Sequence, residues 1–318
     1  MKRMFAIVLS LFIILNLVAC ESKPNESGSL TFSTGNYTGT YYAFGTVLGD
    51  KVSESTDTQV TIVSSNGSQS NIEAIRSGDA NIAFVQSDVM TYSYNGTRLF
   101  EETGAIKNFS TVSAMYMEQV QLVTLDPSIK SVDDLAGKRV SIGANGSGVY
   151  YNAMDILGLY DLSEDDIVAN FYDFRETIEA LQNGQIDAGF IVAGAPTNAI
   201  TSLAETNDIY LVSLDDEHIN SLISSSSYYT KNTIGSEVYG TDEDITTVGI
   251  RAVVVASDSA SDDDVYNFIS AIFNNLDTLE HDKAKEMSLD FAASINDVPY
   301  HTGAVRYFSE RGLTVRSK

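Results

Sequence analysis

The sequence contains very little cysteine, which limits the chemistry that the chain can support. Cys20 is the only cysteine, so no disulfide can form within one molecule. A catalytic or metal-bound thiol is not expected either, because Cys20 lies between an apolar N-terminal segment and a polar stretch. The fold must therefore be stabilised without covalent cross-links.

Histidine is also scarce, and its three occurrences are far apart. His218, His281 and His301 show no paired spacing, so neither a zinc site nor a serine–histidine pair is indicated. The serine within 146–148 lacks the flanking glycines of a nucleophile elbow, because Asn145 and Val149 occupy those positions. We therefore predict that the protein is not an enzyme and holds no metal ion or other cofactor.

Basic residues are few compared with acidic ones. The chain has 19 lysines and arginines against 43 aspartates and glutamates, which gives a formal net charge of −24. Nucleic-acid binding requires clustered positive charge, so the composition excludes that class of partner. The acidity says little about the charge of a small ligand, because local dipoles in a closed cleft outweigh a screened surface.

Long apolar runs are missing apart from one near the N-terminus, where residues 5–15 follow a basic start. That run is too short for a comfortable membrane span and predicts a signal peptide over residues 1–19. Residues 17–20 have the form of a lipobox, so we expect a lipid on Cys20 and a flexible tether over 20–29. The expected location is extracytoplasmic, and the lipid would attach the protein to the membrane. We expect a monomer.

A repeated pattern dominates the rest of the chain. Residues 39–42 (GTYY) resemble residues 148–151 (GVYY), and each follows an extended run and a glycine-rich turn. Later, 72–85 and 178–191 share a helix end, a glycine and a short apolar strand. Two similar α/β lobes with a cleft between them are the simplest interpretation.

The second glycine-rich turn provides four candidate ligand-binding residues. Asn145, Gly146, Ser147 and Gly148 lie between a predicted strand and a predicted helix. Glycine lets the backbone approach a bound group closely, and the free N–H groups of a helix start favour an anion. A plain helix-capping loop is the alternative interpretation of this turn.

Six further candidates lie on corresponding loops elsewhere in the two predicted lobes. They are Gly39, Tyr41, Asn66, Ser68, Gln86 and Gly194. Gln86 ends a strand, at the edge where open α/β sheets bind ligands. Tyr41 could instead belong to the core. Asp88, two residues after Gln86, could be only the N-cap of the following helix.

Two long segments bear on how the lobes are joined. Residues 246–256 form the most continuous apolar strand and predict a return into the first lobe. Residues 111–125 contain two apolar runs that Met117–Gln119 interrupt, which predicts two extended segments with a break.

Eight short stretches in the expected order resemble the TAXI family of solute receptors, which serve tripartite ATP-independent periplasmic (TRAP) transporters. The stretches are 33–35 with 39–42, 66–71, 86–88, 134–138, 143–148, 184–188, 193–197, and 301–304 with 306–307. The resemblance covers essentially everything after the tether. It implies an α/β type II periplasmic-binding fold, in which two lobes joined by hinge strands close on a ligand.

The resemblance also implies a partner and a ligand class. The partner would be the integral membrane permease of a TRAP transporter, and the ligand a small carboxylate such as glutamate, glutamine or a dicarboxylate. We expect lobe I to comprise 30–137 and 249–318, and lobe II 138–248. Arg251 is the only arginine near the expected cleft, and a structural ion pair is the favoured role for it. A ligand-binding lipoprotein that signals to a sensor kinase would use the same cleft, and the sequence does not separate the two roles.

Overall fold

The computed structural model describes residues 28–318, which fold into one mixed sheet flanked by helices. The expected signal peptide, Cys20 and most of the tether lie outside these residues. No helix within 28–318 is long and apolar enough to cross a membrane.

Ten strands form the sheet, in the order β2-β1-β3-β10-β4-β7-β5-β6, with β8 beside β4 and β9 beside β10. The strands are β1 Ser29–Ser33, β2 Gln59–Val63, β3 Ile82–Gln86, β4 Phe109–Thr124, β5 Arg139–Ser141, β6 Val168–Asn170, β7 Ala188–Ala193, β8 Tyr210–Leu211, β9 Thr230–Ile234 and β10 Ile245–Ser257. β1 is parallel to its neighbours β2 and β3, and β5 is parallel to its neighbours β6 and β7. β4 and β10 are antiparallel to each other. β4 is also antiparallel to β7, and β10 is antiparallel to β3.

Eleven α-helices are described along 28–318. They are α1 Thr40–Ser55, α2 Ser68–Ser77, α3 Ser87–Asn95, α4 Val149–Leu159, α5 Phe174–Gln182, α6 Asn198–Ala204, α7 Asp216–Ser225, α8 Ser236–Tyr239, α9 Asp262–Phe273, α10 Leu289–Ala292 and α11 Thr302–Ser309. Short 3₁₀ segments cover Arg98–Phe100, Val132–Leu135, Glu164–Asp166, Leu276–Thr278 and Asp282–Glu286.

The buried apolar residues divide between the two ends of the sheet. The first core draws on residues 30–116 and 252–308, with Tyr151 added from α4. The second core draws on residues 120–250 and covers both faces of its part of the sheet. On β4, for example, Leu122 faces one side and Val123 the other, as the alternation of a strand requires.

The second core begins on β4, at Val120. Val120, Ile129 and Leu135 pack against residues of α4 and β7, not against the first core. The reason is that β4 leaves the first core part-way along its length and pairs with β7 from Gln119 onward.

The strands β4 and β10 connect the two cores. Residues of β10 pack in the first core from Ala252 to Ala256 and in the second core at Val248 and Ile250. The expected apolar strand over 246–256 is confirmed. The expected break at Met117–Gln119 was wrong, because β4 is a single strand of 16 residues whose polar segment lies between the two cores.

Candidate functional site

A cleft lies where the two cores approach each other, beside the polar segment of β4. Its lining includes Gly35 after β1, Gln86 at the end of β3 and Val192 near the end of β7. The cleft has about 500 Å³ of space, its opening to solvent included. The carboxyl ends of strands are where open α/β sheets bind ligands, so the position of this cleft in the sheet suits a binding site.

Four helices begin at the cleft. Gly39 and Thr40 lie at the start of α1, Ser68 at the start of α2, Val149 at the start of α4 and Phe174 at the start of α5. The first N–H groups of a helix have no acceptor within the helix, and they carry its partial positive charge. The cleft therefore offers hydrogen-bond donors for an anionic group without any basic side chain.

Seven of the ten residues proposed from the sequence line this cleft. They are Gly39, Tyr41, Asn66, Ser68, Gln86, Ser147 and Gly148. Their loops are far apart in the sequence, and the fold brings them to one place.

The other three proposed residues lie just outside the lining and join the two sides of the cleft through their backbone. The carbonyl of Asn145 accepts a hydrogen bond from Asn66 Nδ2 at 3.1 Å. The carbonyl of Gly146 accepts one from the Ser70 N–H at 2.9 Å. The Gly194 carbonyl accepts from Oγ1 of Thr40, also at 2.9 Å.

Side chains add two further contacts across the cleft. Asn36 Nδ2 donates to Asp173 Oδ2 at 2.8 Å, and Gln86 Nε2 donates to Asn152 Oδ1 at 2.8 Å. We call these five hydrogen bonds, three through the backbone and two between side chains, the closing contacts. The structure is therefore a closed form, in which the glycine-rich turns of the two halves touch.

Two buried polar atoms in the lining have no hydrogen-bond partner in the described protein. They are Oε1 of Gln86 and Oγ of Ser147, and their residues are 2% and 4% exposed. A buried polar atom without a partner is costly, and native proteins rarely contain one unless a ligand or water satisfies it. Both atoms belong to residues that line the cleft.

Sequence reasoning missed several lining residues, of which Glu118 is the most important. Glu118 lies on β4 between the two cores, is 2% exposed and accepts a hydrogen bond from the Tyr41 hydroxyl at 2.9 Å. Burial raises the pKa of its carboxyl group to about 8. The available signal was a single charged residue inside a long strand that is otherwise uncharged. Asp173 and Phe174 were missed because only the folded chain brings the start of α5 to this cleft.

Tyr41 combines the two roles that its sequence left open. Its ring stacks on Phe84 of the first core, with the ring centroids 4.7 Å apart, and its hydroxyl reaches Glu118 in the cleft. Tyr41 is thus both a core residue and a residue that fixes the orientation of Glu118.

Asp88 is buried behind Gln86 and is not a helix N-cap. It is the second residue of α3, whose N-cap is Gln86. Its carboxyl group accepts hydrogen bonds from the Val89 N–H at 2.7 Å and from Asn152 Nδ2 at 3.0 Å. Burial raises its pKa to about 7, and Asp155 nearby acts in the same direction.

Arg251 lies outside the cleft lining. Its guanidinium carbon is 6.0 Å from the ring centroid of Phe291. Among the residues that the structure describes, Arg251 has no ion pair, so the structural ion pair expected from the sequence was wrong. His301 has a structural role, because it is the N-cap of α11 and its Nδ1 accepts a hydrogen bond from the Gly303 N–H.

Within residues 28–318, no group of three or more His, Cys, Asp or Glu side chains is arranged to hold a metal ion.

Comparison with known families finds one match. The model of the NMT1-like family matches residues 32–312, which is most of the chain.

Solved structures of solute-binding proteins share this fold at low sequence identity. The alkanesulfonate-binding protein SsuA from Xanthomonas axonopodis pv. citri, bound to MOPS, matches with a TM-score of 0.53 and 16% identity over 89% of this chain and 84% of its own. PhnD1 from Prochlorococcus marinus (MIT 9301), in complex with methylphosphonate, matches with a TM-score of 0.52 and 12% identity. The match covers 83% of this chain and 89% of PhnD1. The substrate-binding protein of an amino acid ABC transporter matches with a TM-score of 0.50 and 12% identity, over 81% of this chain and 97% of its own. The predicted type II periplasmic-binding fold is confirmed.

Proposed function

The chain belongs to the NMT1-like family, and from this premise we propose that it is the solute receptor of a membrane transporter and captures a small carboxylate in the cleft. The observation that carries the proposal is the pair of buried atoms without partners, Gln86 Oε1 and Ser147 Oγ, which face one cleft from opposite halves. Solved proteins that share its fold include an alkanesulfonate-binding protein, a protein in complex with methylphosphonate and the substrate-binding protein of an amino acid ABC transporter.

The carboxylate of the solute binds at the start of α4. The hydroxyl of Ser147 donates to it, and the free N–H groups beside Gly148 and Val149 add dipolar attraction. Gly39, Asn66 and Ser68 complete the lining from the first half.

Capture proceeds by rotation of two lobes about β4 and β10. We propose that lobe I contains the first core and lobe II the second, because β4 and β10 are the only strands within residues 28–318 that contribute extensively to both cores. Opening breaks the closing contacts and exposes Ser147 and Gln86 to solvent. The solute binds in the open form, and the closed form docks on the transporter.

Within the family we place the chain with the TAXI receptors, so the transporter is a TRAP permease. The order of the eight motif stretches in the sequence supports this branch. Uptake by vesicles that contain the permease and this receptor would then follow an imposed ion gradient and continue without ATP. Dependence on ATP hydrolysis would instead assign the receptor to an ABC transporter.

The receptor is extracytoplasmic and attached to the membrane through a lipid on Cys20. The apolar segment and lipobox before Cys20 support this placement. Cell fractionation tests it: the wild-type protein should sediment with membranes, and the Cys20→Ala variant should not carry the lipid. A Cys20→Ala protein that still incorporates labelled fatty acid would contradict the proposal.

Thermal unfolding of the refolded protein, freed of carried-over solute, tests the ligand class. The screen compares small carboxylates with neutral sugars and with amines that lack a carboxyl group. A carboxylate at a hundredfold its dissociation constant should add about 2.7 kcal/mol to the free energy of unfolding. Stabilisation only by sugars or simple amines would contradict a carboxylate site at α4.

A further inference from the structure

The position of Glu118 is unusual for a cleft that binds a carboxylate. Its side chain is buried and lines the cleft, and it is the one charged side chain of β4. The Tyr41 hydroxyl holds one carboxyl oxygen, Oε2. A second anion placed directly against this group would meet strong repulsion in a poorly solvated site, unless Glu118 held a proton.

The charge around Glu118 is predominantly negative. Asp173 also lines the cleft, and Asp88 is close enough to raise the pKa of Glu118 further. Among the described lining residues there is no lysine or arginine. The nearest cation, Lys283, is bound to Glu286 and to the Ala195 carbonyl and does not line the cleft.

Gln86 presents an acceptor to the same cleft. Its Nε2 group donates to Asn152 Oδ1, while Asn152 Nδ2 donates to Asp88. These two hydrogen bonds fix the orientation of the Gln86 amide, which leaves Oε1 buried and without a donor. A carboxylate has no proton to donate to it, so this atom requires a different chemical group.

We propose that Glu118 and Gln86 Oε1 bind the protonated amino group of the solute, whose carboxylate lies at Ser147 and the start of α4. The solute is then a small zwitterion of the amino acid type, and Glu118 is the residue that selects it against carboxylates without an amino group. This inference rests on the proposed function, because it adds a second pole to the same cleft.

The proposal has a consequence for protons. Burial in the closed cleft raises the pKa of Glu118 to about 8, so closure without an ammonium group beside it favours the protonated form at pH 7. The titratable and charged groups that face Glu118 are Tyr41, Asp88, Lys283 and, on the same strand, Tyr116. An ammonium group favours the ionised carboxylate, so closure on an amino acid takes up no proton at Glu118. A carboxylate bound beside Glu118 would retain or take up protons.

Matched pairs of ligands separate binding of the amino group at Glu118 and Gln86 from binding of the carboxylate at Ser147. The pairs are L-glutamate with 2-oxoglutarate, L-glutamine with its 2-oxo analogue, and L-alanine with pyruvate, each measured by calorimetric titration of the refolded full chain. In at least one pair the amino acid should bind at least about tenfold more tightly than its partner, in which a 2-oxo group replaces the ammonium group. Equal or tighter binding of the 2-oxo acids would overturn this inference and leave the carboxylate receptor intact. No binding of either member of any pair would overturn both.

A substitution tests the role of Glu118 directly. Glu118→Gln keeps the shape and an acceptor for Tyr41 but removes the charge, and it should weaken amino acid binding by about tenfold or more. Glu310→Gln is the matched control, because Glu310 also accepts a tyrosine hydroxyl, that of Tyr266 at 2.7 Å, on the exposed surface. Unchanged affinity of the folded Glu118→Gln protein would contradict the proposal.

Proton uptake provides a readout that a merely structural role of Glu118 would not change. The wild-type and Glu118→Gln proteins are titrated at pH 7 with the tightest amino acid and with its 2-oxo partner, in two buffers whose ionisation enthalpies differ. The proposal predicts that the wild type takes up no protons with the amino acid and takes up protons with the 2-oxo acid, and that Glu118→Gln loses this uptake. Uptake by the wild type with the amino acid, or equal uptake by both proteins with the 2-oxo acid, would overturn it.

Discussion

Gly148 and Gln86 meet at the centre of the closed cleft, with no room for a side chain on the glycine. A Cβ atom on Gly148 would lie 1.4 Å from Gln86 Oε1 and 3.0 Å from Ser68 Oγ. The backbone of Gly148 is ordinary, with φ at −74°, so an alanine is compatible with the local conformation. Only the approach of the other half of the molecule requires a glycine here.

Gly148→Ala should therefore block closure while leaving the fold intact. We expect the affinity for the solute to fall by about a hundredfold or more, because overlap with Gln86 and Ser68 forces the closing contacts apart. The free energy of unfolding without solute should change little. Calorimetric titration and thermal unfolding measure the two quantities.

Gly158→Ala is the matched control for that variant. Gly158 lies in the same helix, and a Cβ atom there would meet nothing within 4 Å. Its replacement should stabilise the helix by about 0.5–1 kcal/mol and leave affinity unchanged. If Gly148→Ala binds as tightly as Gly158→Ala, the closed form is not the form that holds the solute.

Ser147→Ala should separate binding from stability. The Ser147 hydroxyl has no protein partner in the closed structure and is exposed to solvent in the proposed open form, so its removal should leave the stability of the empty protein nearly unchanged. Loss of its hydrogen bond to a charged carboxylate should weaken binding by about 1.5–3 kcal/mol.

Ser294→Ala serves as the control for Ser147→Ala, because the Ser294 hydroxyl is also buried without a partner in the described protein but lies outside the cleft lining. It should reproduce the small change in stability without a change in affinity. Unchanged affinity in both variants would remove Ser147 from the ligand site.

The contribution of Asp88 to the stability of the closed protein should decrease as the pH rises from about 4 to about 7. Burial raises the pKa of Asp88 from 3.8 to about 7, so in this range the folded protein binds a proton that the unfolded chain has lost. The contribution is complete below the unfolded pKa and is lost as the pH rises through the folded pKa. Glu118 acts in the same direction, up to about pH 8.

Asp88→Asn should flatten this pH dependence, because asparagine does not titrate and resembles the protonated acid in shape. Thermal unfolding of both proteins between pH 4 and pH 8 measures the difference. If the stability of the wild type and that of Asp88→Asn change equally with pH across this range, the raised pKa of Asp88 is contradicted.

Asn71 should matter for stability without touching the solute. It is fully buried; its Nδ2 group donates to the carbonyls of Thr34 and Phe84, and its Oδ1 accepts from Ser33 Oγ. Asn71→Leu leaves those groups without partners and should reduce the free energy of unfolding by about 2 kcal/mol or more. Exposed Asn220, changed to Ala, should alter it by no more than about 0.5 kcal/mol. Urea unfolding would show the contrast, and equal effects would contradict it.

Local patterns in the sequence predicted much of the fold and part of the cleft. The apolar run of β10 and the two glycine-rich turns have short-range signatures, so the strand and the neighbourhood of Ser147 and Gln86 could be anticipated. Glu118 could not be assigned in the same way, because a charged residue inside an otherwise uncharged strand resembles a break when its neighbours across the sheet are unknown. The closing role of the Asn145 and Gly194 carbonyls depends on contacts between distant loops, which no local pattern encodes.

The central claim is that the two halves of the molecule close on a solute. Small-angle X-ray scattering of the refolded protein, with and without a solute found by thermal unfolding, tests it most directly, with Gly148→Ala measured in parallel. The account predicts that the radius of gyration of the wild type decreases when the solute binds, and that the Gly148→Ala protein shows no such decrease. An unchanged radius for the wild type at saturating solute, or the same decrease in both proteins, would contradict capture by closure.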